Sequence, residues 1–242
     1  MKAVFISDIH YKGLEDPRTE ELLHFLDKKL GFHDYLVIVG DFFDFWIGYS
    51  NSVFSTYVPV LSKLYELVHH RNIKIIYVEG NHDFFLGAFF EKTLKAHIIR
   101  KKGEIEIFGK KIYLHHGDGL EYRSILKKMV LNTIVRSPFS YFLSRILGPG
   151  LIWKIGRLFS HASRHYGRGP SEIRERYRKV ARDFLSKNSY DYFIVGHNHV
   201  PDQYEVSTHQ FYFNTGDWLE HRTYLILDGA GKMTLFDAAT LP

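Results

Sequence analysis

The sequence predicts an α/β fold, with one body that contains two β-sheets and a helical insertion. Three observations favour this class. Strand-like and helix-like segments alternate in the first part of the chain, further strand-like runs occupy the last part, and a long helical pattern separates the two. The composition, with 45% hydrophobic and 24% charged residues among 242, excludes disorder, collagen and a coiled coil as descriptions of the whole chain.

The first part of the chain has the pattern of a βαβαβ unit. Three short runs rich in β-branched or aromatic residues end in polar residues and are typical of buried strands: 3–6, 35–39 and 73–78. Helical patterns at 19–29 and 53–70 lie between them. This order implies a parallel sheet whose crossover connections are right-handed.

The second part of the chain combines a hairpin, an insertion and further strands. Runs at 104–108 and 111–115 flank Gly109 and predict the hairpin. The helical insertion is expected over 120–187, within a single domain that spans 1–242. Four more strands are expected at 192–195, 210–214, 223–227 and 233–236.

The composition also limits the chemistry. The chain contains no cysteine, so any metal site must use His, Asp, Glu or Asn. The N-terminal apolar run reaches Asp8 too early for a signal peptide, and no stretch has the about 18 uninterrupted apolar residues that indicate a membrane span. We therefore expect a cytoplasmic protein that is not integral to a membrane.

The positive charge is concentrated in the insertion. The net charge is +5, but residues 122–187 contain ten arginines and five lysines against three acidic residues, which gives that segment +12. Basic and apolar residues on helical sequence are typical of a surface for anionic lipid, a membrane interface or nucleic acid. The alternative is a helical subdomain whose apolar face packs on the main body.

Five short polar motifs follow predicted strands. In open α/β sheets, ligands bind beyond the carboxyl ends of the strands, which is where these motifs would lie. The motifs are Asp8-Ile9-His10, Gly40-Asp41, Gly80-Asn81-His82-Asp83, His115-His116-Gly117-Asp118 and Gly196-His197-Asn198-His199.

Seven side chains in these motifs offer only oxygen and imidazole nitrogen atoms. Such donors suit Mn, Fe or Zn, and seven are enough for two ions that share a bridging carboxylate, for which Asp41 is the candidate. Two ions can activate water and clamp a phosphoryl group, so no cysteine or serine nucleophile is needed. The seven side chains are those of Asp8, His10, Asp41, Asn81, His116, His197 and His199.

In this order the motifs resemble the calcineurin-like metallophosphoesterase superfamily, whose pattern is D-x-H, G-D, G-N-H-[DE], a later His and G-H-x-H. The resemblance implies a four-layer α/β/β/α sandwich with two mixed sheets and a di-metal centre, in which the helical insertion acts as a lid. It also implies that His82 protonates the leaving oxygen or steadies the transition state, and that Asp83 orients His82.

The resemblance further implies a pair of divalent ions, most readily Mn²⁺, with Fe or Zn as possible substitutes, and a ligand set for each ion. Asp41 would bridge the two ions. Asp8, His10 and His199 would hold one ion, and Asn81, His116 and His197 would hold the other.

Longer stretches resemble the UDP-2,3-diacylglucosamine diphosphatase family over nearly the whole chain. They are residues 40–48 (GDFFDFWIG), 81–84 (NHDF), 116–118 (HGD) and 216–218 (GDW). This resemblance implies hydrolysis of the pyrophosphate bond of UDP-2,3-diacylglucosamine to lipid X and UMP in lipid A biosynthesis, by a protein peripheral to the inner membrane. The best-known members carry Arg where this chain has His82.

A nucleotide-sugar lipid requires cationic groups for its phosphates and an apolar slot for its acyl chains. Beside Asn81, His82 and His197, the candidate phosphate or sugar contacts are Arg157, Arg164 and Arg168. The candidate acyl-chain contacts are Leu151, Ile152, Trp153 and Phe159.

Two other functions are compatible with the same motifs. The first is a metallophosphodiesterase for soluble nucleotides or nucleic acid, in which the basic insertion contacts the phosphate backbone. The second is a binding scaffold without activity, against which the complete ligand set argues.

Overall fold

The computed structural model describes residues 1–120, 137, 141–148, 150–151 and 169–238. Within these ranges the chain forms eleven strands and four α-helices. The helices are α1 (Thr19–Lys29), α2 (Val58–Arg71), α3 (residues 141–148) and α4 (Pro170–Leu185). The strands are β1 (Lys2–Ile6), β2 (Tyr35–Ile38), β3 (Lys74–Val78), β4 (His97–Ile99), β5 (Lys102–Ile107), β6 (Lys110–His115), β7 (Tyr192–Val195), β8 (Asp202–Ser207), β9 (Gln210–Asn214), β10 (Thr223–Asp228) and β11 (Met233–Asp237).

The strands form two mixed sheets. The first sheet has the order β11-β10-β1-β2-β3-β4, and β1 to β4 run parallel to one another while β10 and β11 pair antiparallel. The second sheet has the order β5-β6-β7-β9-β8, in which β6, β7 and β9 are parallel. The parallel strands at the centre of each sheet end at the same edge, so the loops that follow them converge.

Three apolar cores separate four layers. Side chains of both sheets, such as Phe5 and Phe213, pack between the sheets. Helices α1 and α2 cover the outer face of the first sheet, with Phe25 and Leu64 in the core. Helix α4 covers the outer face of the second sheet through Tyr177 and its neighbours. The fold is therefore the predicted α/β/β/α sandwich.

The predicted elements agree with the structure except at a few boundaries. The helix expected from residue 53 begins at Val58, after a 3₁₀ turn at Ser55–Tyr57, because Pro59 suits the first turn of a helix. Strands β4 and β8 and the π-helical turn Phe89–Thr93 were not expected. In the insertion, the described parts include the helices α3 and α4. No helix within the described ranges is long and apolar enough to span a bilayer.

Candidate metal centre

The seven predicted ligands lie together at the carboxyl ends of the parallel strands. Each of β1, β2, β3, β6 and β7 ends directly before the loop that carries one or two of them. Donor atoms of three groups approach one another within 4.8 Å, so each group can hold a cation: Asp8, His10 and His199; Asp41, His116 and His197; and His10, Asp41 and His82.

The Asp41 carboxylate is at the centre of the cluster. Its Oδ2 atom lies 3.3 Å from Nε2 of His116, 3.8 Å from Nε2 of His10 and 4.0 Å from Nε2 of His82. Asn81 joins the same side, since its Oδ1 atom lies 3.1 Å from Nε2 of His116. This position suits a carboxylate shared by two ions.

The Asp8 carboxylate provides an independent test of whether the cluster fits a cation. Its Oδ2 atom accepts hydrogen bonds from the Ser7 hydroxyl and, at 2.8 Å, from the backbone N–H of His197. Its Oδ1 atom is buried without a hydrogen-bond partner and lies 3.5 Å from Nε2 of His199. A buried carboxylate oxygen without a donor is costly, and a metal ion satisfies it. The residues therefore fit divalent ions.

Five of the seven predicted ligands have a left-handed backbone conformation. Their φ angles lie between +46° and +70°, a region that non-glycine residues seldom adopt and that costs about 1–2 kcal/mol per residue. Backbone strain of this kind clusters at functional sites. The five residues are Asp8, His10, Asp41, His197 and His199.

The histidine rings are oriented by hydrogen bonds on the side away from the cluster. Nδ1 of His116 lies 2.8 Å from the Val39 carbonyl oxygen, and Nδ1 of His82 lies 2.8 Å from the Asp44 carbonyl oxygen. A carbonyl only accepts, so both Nδ1 atoms carry hydrogen and both Nε2 atoms face Asp41. This is the arrangement by which ligating histidines are commonly fixed.

The electrostatics favour a cation near Asp41. Burial would raise the pKa of Asp41, but the surrounding histidines, His116 foremost, hold it well below its usual value. Burial would lower the pKa of His116, yet Asp41 raises it to about 10. Burial lowers the pKa of His197 to about 3, which keeps its imidazole neutral, as a metal ligand must be. The buried carboxylates thus require positive charge, from a proton on His116 or from a metal ion.

The structure gives Asp83 a different set of contacts from the expected one. The Asp44 carbonyl, and not Asp83, accepts the hydrogen bond from the His82 ring. Burial, followed by the negative charge of Asp41, raises the pKa of Asp83 to about 7. The Asp83 carboxylate accepts hydrogen bonds from the backbone N–H groups of Asp41, Phe42, Phe43 and Gly80 and from the Tyr77 hydroxyl. Its contacts therefore fix the Asp41 loop rather than the His82 ring.

The remaining predicted site residues divide into two groups. Asn81, His82 and His197 lie in the cluster. The arginines proposed as phosphate contacts and three of the proposed acyl-chain contacts lie outside the described residues: Arg157, Arg164, Arg168, Ile152, Trp153 and Phe159.

Sequence reasoning assigned no role to several residues that contact the ligands. Ser7, Asp44 and Asp217 each orient a ligand or a neighbouring ring through hydrogen bonds. Ser7 could have been found from its position directly before Asp8. Asp217 lies in the 216–218 stretch that carries the family resemblance, but its contact with His199 joins two strand ends and could not be read from that stretch.

Comparison with known proteins agrees with this geometry. Residues 1–201 match the calcineurin-like phosphoesterase family, and the chain belongs to that family. The fold and the cluster therefore define a metal-dependent phosphoric ester hydrolase.

The names of individual relatives point to a more specific activity than the family does. The chain is 28% identical over 212 residues to proteins named UDP-2,3-diacylglucosamine hydrolase from Yersinia pseudotuberculosis and Yersinia pestis, and the match covers 85% of this chain and 85% of each relative. Among solved structures, a Vps29 variant from Entamoeba histolytica matches with a TM-score of 0.46 and 14% identity over 98% of this chain and 99% of that one.

Proposed function

We propose that this protein hydrolyses the pyrophosphate bond of UDP-2,3-diacylglucosamine and releases UMP and lipid X. The observation that carries the proposal is the match to UDP-2,3-diacylglucosamine hydrolases over 85% of both chains. The buried cluster of carboxylates and imidazoles supports the hydrolytic chemistry, because it provides ligands for two divalent ions. The same reaction would place the protein in lipid A biosynthesis.

The proposed ligand set follows the groups in the cluster. Asp8, His10 and His199 would hold one ion, Asn81, His116 and His197 would hold the other, and Asp41 would contribute to both sites. Manganese is the proposed metal, because imidazole and carboxylate donors together suit it. When bound, such ions polarise a phosphoryl group and lower the pKa of water.

His82 is the proposed proton donor to the leaving phosphate. Its Nδ1–H is committed to the Asp44 carbonyl, so Nε2 is the atom that exchanges a proton with the substrate. That atom lies 4.0 Å from Oδ2 of Asp41, so it faces the cluster. Asp83 acts one step further away, because it holds the backbone of Asp41.

An exposed apolar surface beside the cluster supports an acylated substrate. Helix α3 presents Phe142 and Ile146, whose exposed fractions are 61% and 65%. The helix lies against loops near the cluster: Arg145 donates a hydrogen bond to Ser50 at 2.8 Å, and the Tyr141 ring lies 4.7 Å from the Phe85 ring. Exposed apolar surface of this kind is typical of a lipid or membrane contact, so we also propose that the protein binds peripherally at the inner membrane.

The test compares three substrates with purified protein and Mn²⁺. UDP-2,3-diacylglucosamine, UDP-N-acetylglucosamine and a dinucleotide are incubated separately, and UMP or nucleotide release is measured by chromatography. We expect rapid release of UMP from the acylated substrate alone. Equal or faster turnover of the dinucleotide would replace this proposal with a phosphodiesterase for soluble nucleotides or nucleic acid.

A pair of variants tests the apolar surface. Phe142→Ser combined with Ile146→Ser should raise KM for the acylated substrate and leave turnover of a soluble phosphodiester unchanged. Phe32→Ser is the matched control, since Phe32 is 68% exposed but precedes β2 at the opposite edge of the sheet. An unchanged KM in the double variant would contradict the acyl-chain contact.

A further inference from the structure

The residues at and directly after the end of β9, 214–218, contact two predicted ligands without belonging to the ligand set. We call them the β9 loop. The backbone N–H of Trp218 donates to the Asp8 carbonyl oxygen at 3.2 Å. The Thr215 hydroxyl lies 2.5 Å from the Ser7 hydroxyl, which in turn donates to Oδ2 of Asp8. Asp217 contacts the ring of His199. The β9 loop therefore holds ligands that come from two other strands.

Asp217 is itself fixed by the turn that follows it. Its side chain is buried, and its Oδ1 atom accepts the backbone N–H groups of Glu220 and His221, both at 2.9 Å. Its Oδ2 atom lies 3.1 Å from Nδ1 of His199. An ionised carboxylate only accepts, so Nδ1 of His199 carries hydrogen and its Nε2 atom, 3.5 Å from Oδ1 of Asp8, presents a lone pair to the cluster.

The histidine that Asp217 contacts belongs to one group of donor atoms. Asp8 and His199 belong to one of the three groups, whereas His116 belongs to another. The His116 ring is oriented by the carbonyl of Val39, which directly follows β2 in the first sheet, whereas β9 belongs to the second. Two ions held by the two groups would therefore depend on different supporting residues.

We propose that Asp217 is a positioning residue that selects the tautomer of His199 and thereby sets the affinity for one ion of the pair. The ion concerned is the one held by Asp8, His10 and His199. This inference rests on the ligand set of the proposed function. Loss of a carboxylate behind a ligating histidine commonly weakens metal binding by about 10–100-fold.

The variant Asp217→Asn isolates the effect, because it preserves size and the turn. The asparagine Oδ1 atom can still accept from Glu220 and His221, while its Nδ2 atom donates towards His199. Nδ1 of His199 must then accept, so its hydrogen moves to Nε2, the atom that faces Asp8. His199 in that tautomer cannot ligate an ion.

Titration with Mn²⁺ measures the result without any substrate. Calorimetry should give two ions per wild-type chain. In Asp217→Asn, the affinity for one ion should fall about 10–100-fold while the other is unchanged. With one equivalent of Mn²⁺, Asp217→Asn should give the electron paramagnetic resonance spectrum of an isolated Mn²⁺ ion. The fully loaded wild type should give the spectrum of a coupled pair.

Asp34→Asn is the matched control. Asp34 is also buried and accepts two backbone N–H groups, from Lys2 at 2.8 Å and Gly31 at 2.9 Å, but it lies at the opposite ends of the strands. This control should lose stability and keep both ions. Circular dichroism and thermal unfolding of all three proteins show whether each variant is folded.

The outcomes separate this inference from the proposed function. A wild-type chain that binds fewer than two ions would overturn the ligand set and this inference with it. Two ions bound by Asp217→Asn with wild-type affinities, or an equal loss of both, would overturn this inference alone. If Asp217→Asn does not fold, ¹⁵N spectra of the wild-type protein can determine the tautomer of His199, whose signal is assigned by its loss in His199→Gln. Hydrogen on Nδ1 supports the inference, and hydrogen on Nε2 overturns it.

Discussion

Replacing Asp83 with asparagine should destabilise the protein, because several buried donors depend on the two carboxylate oxygens. Oδ1 accepts the N–H groups of Asp41 and Gly80, both at 2.9 Å. Oδ2 accepts the N–H of Phe42 and the hydroxyl of Tyr77, both at 2.6 Å. Asparagine has the same shape but offers a single acceptor oxygen, so the substitution removes acceptors without creating a cavity.

The magnitude follows from counting the donors that lose their acceptor. If the amide nitrogen replaces Oδ1, the N–H groups of Asp41 and Gly80 are both left unpaired. If it replaces Oδ2, the N–H groups of Phe42 and Phe43 are both left unpaired, while the Tyr77 hydroxyl can rotate and accept. Either orientation leaves two donors unpaired, and a buried unpaired donor costs about 1–3 kcal/mol, so the free energy of unfolding should fall by about 2–6 kcal/mol. For a loss of about 3 kcal/mol, Tm should fall by about 6–12 °C in a chain of this size.

Urea unfolding, followed by tryptophan fluorescence and circular dichroism, measures this loss. Tyr77→Phe removes one donor and leaves the backbone contacts, so we expect a smaller loss of about 1–2 kcal/mol. Asp183→Asn, at an exposed position on α4, should change the free energy of unfolding by less than about 0.5 kcal/mol. A loss below about 1 kcal/mol for Asp83→Asn would refute the claim that this carboxylate holds the Asp41 loop.

Three further substitutions test other parts of the structure. Gly40→Ala should lower the free energy of unfolding by about 2–5 kcal/mol and remove most of the activity, because φ of Gly40 is +86° and a Cβ atom would lie 2.4 Å from Nδ1 of His116. A variant with near wild-type stability would contradict that packing. In EDTA, the free energy of unfolding of Asp8→Asn should lie within about 1 kcal/mol of wild type. Mn²⁺ at 100 times its Kd should stabilise wild type by about 2.7 kcal/mol and the variant by less. An equal stabilisation of the two proteins by Mn²⁺ would exclude Asp8 as a ligand. Burial would raise the pKa of Asp16, but its hydrogen bonds and ion pair with Arg18 hold that pKa below its usual value. The Asp16–Arg18 pair therefore stabilises the fold above the unfolded-state pKa of about 4, and this stabilisation is lost as the pH falls further. The free energy of unfolding of Asp16→Asn should therefore decline less steeply below about pH 4 than that of wild type.

The sequence predicts the central strands well and the peripheral strands poorly. β1, β2, β3 and β7 are buried on both faces, so they form continuous apolar runs that have few other interpretations. β8 lies at an edge and alternates buried and exposed residues, with charged and polar side chains in DQYEVS. β4 contains only three residues. Their pairing partners, and not their own composition, make these two segments strands.

In the candidate site, the proposed ligands could be recognised from the sequence, whereas the residues that support them could not. That the proposed ligands lie together could be predicted because each follows a strand and because the carboxyl ends of parallel strands meet at one edge. The residues behind the ligands could not, because the contacts that matter join distant positions. Asp83 contacts a loop 42 residues earlier, and Asp217 contacts a ring 18 residues earlier. No local pattern distinguishes such a carboxylate from a ligand or from a turn residue.

Backbone hydrogen bonds help to hold the ligand loops in their left-handed conformations. Asp8, His10 and Asp41 lie in strained backbone regions, and strain persists only where the surroundings fix the conformation. Here the main chain provides that restraint, since the Asp8 N–H donates to the Gly40 carbonyl and the His10 N–H donates to the Asp41 carbonyl. Neighbouring loops thus hold each other through groups that every residue has. A substitution such as Asp8→Asn keeps these backbone hydrogen bonds, so we expect it to weaken metal binding more than it destabilises the fold.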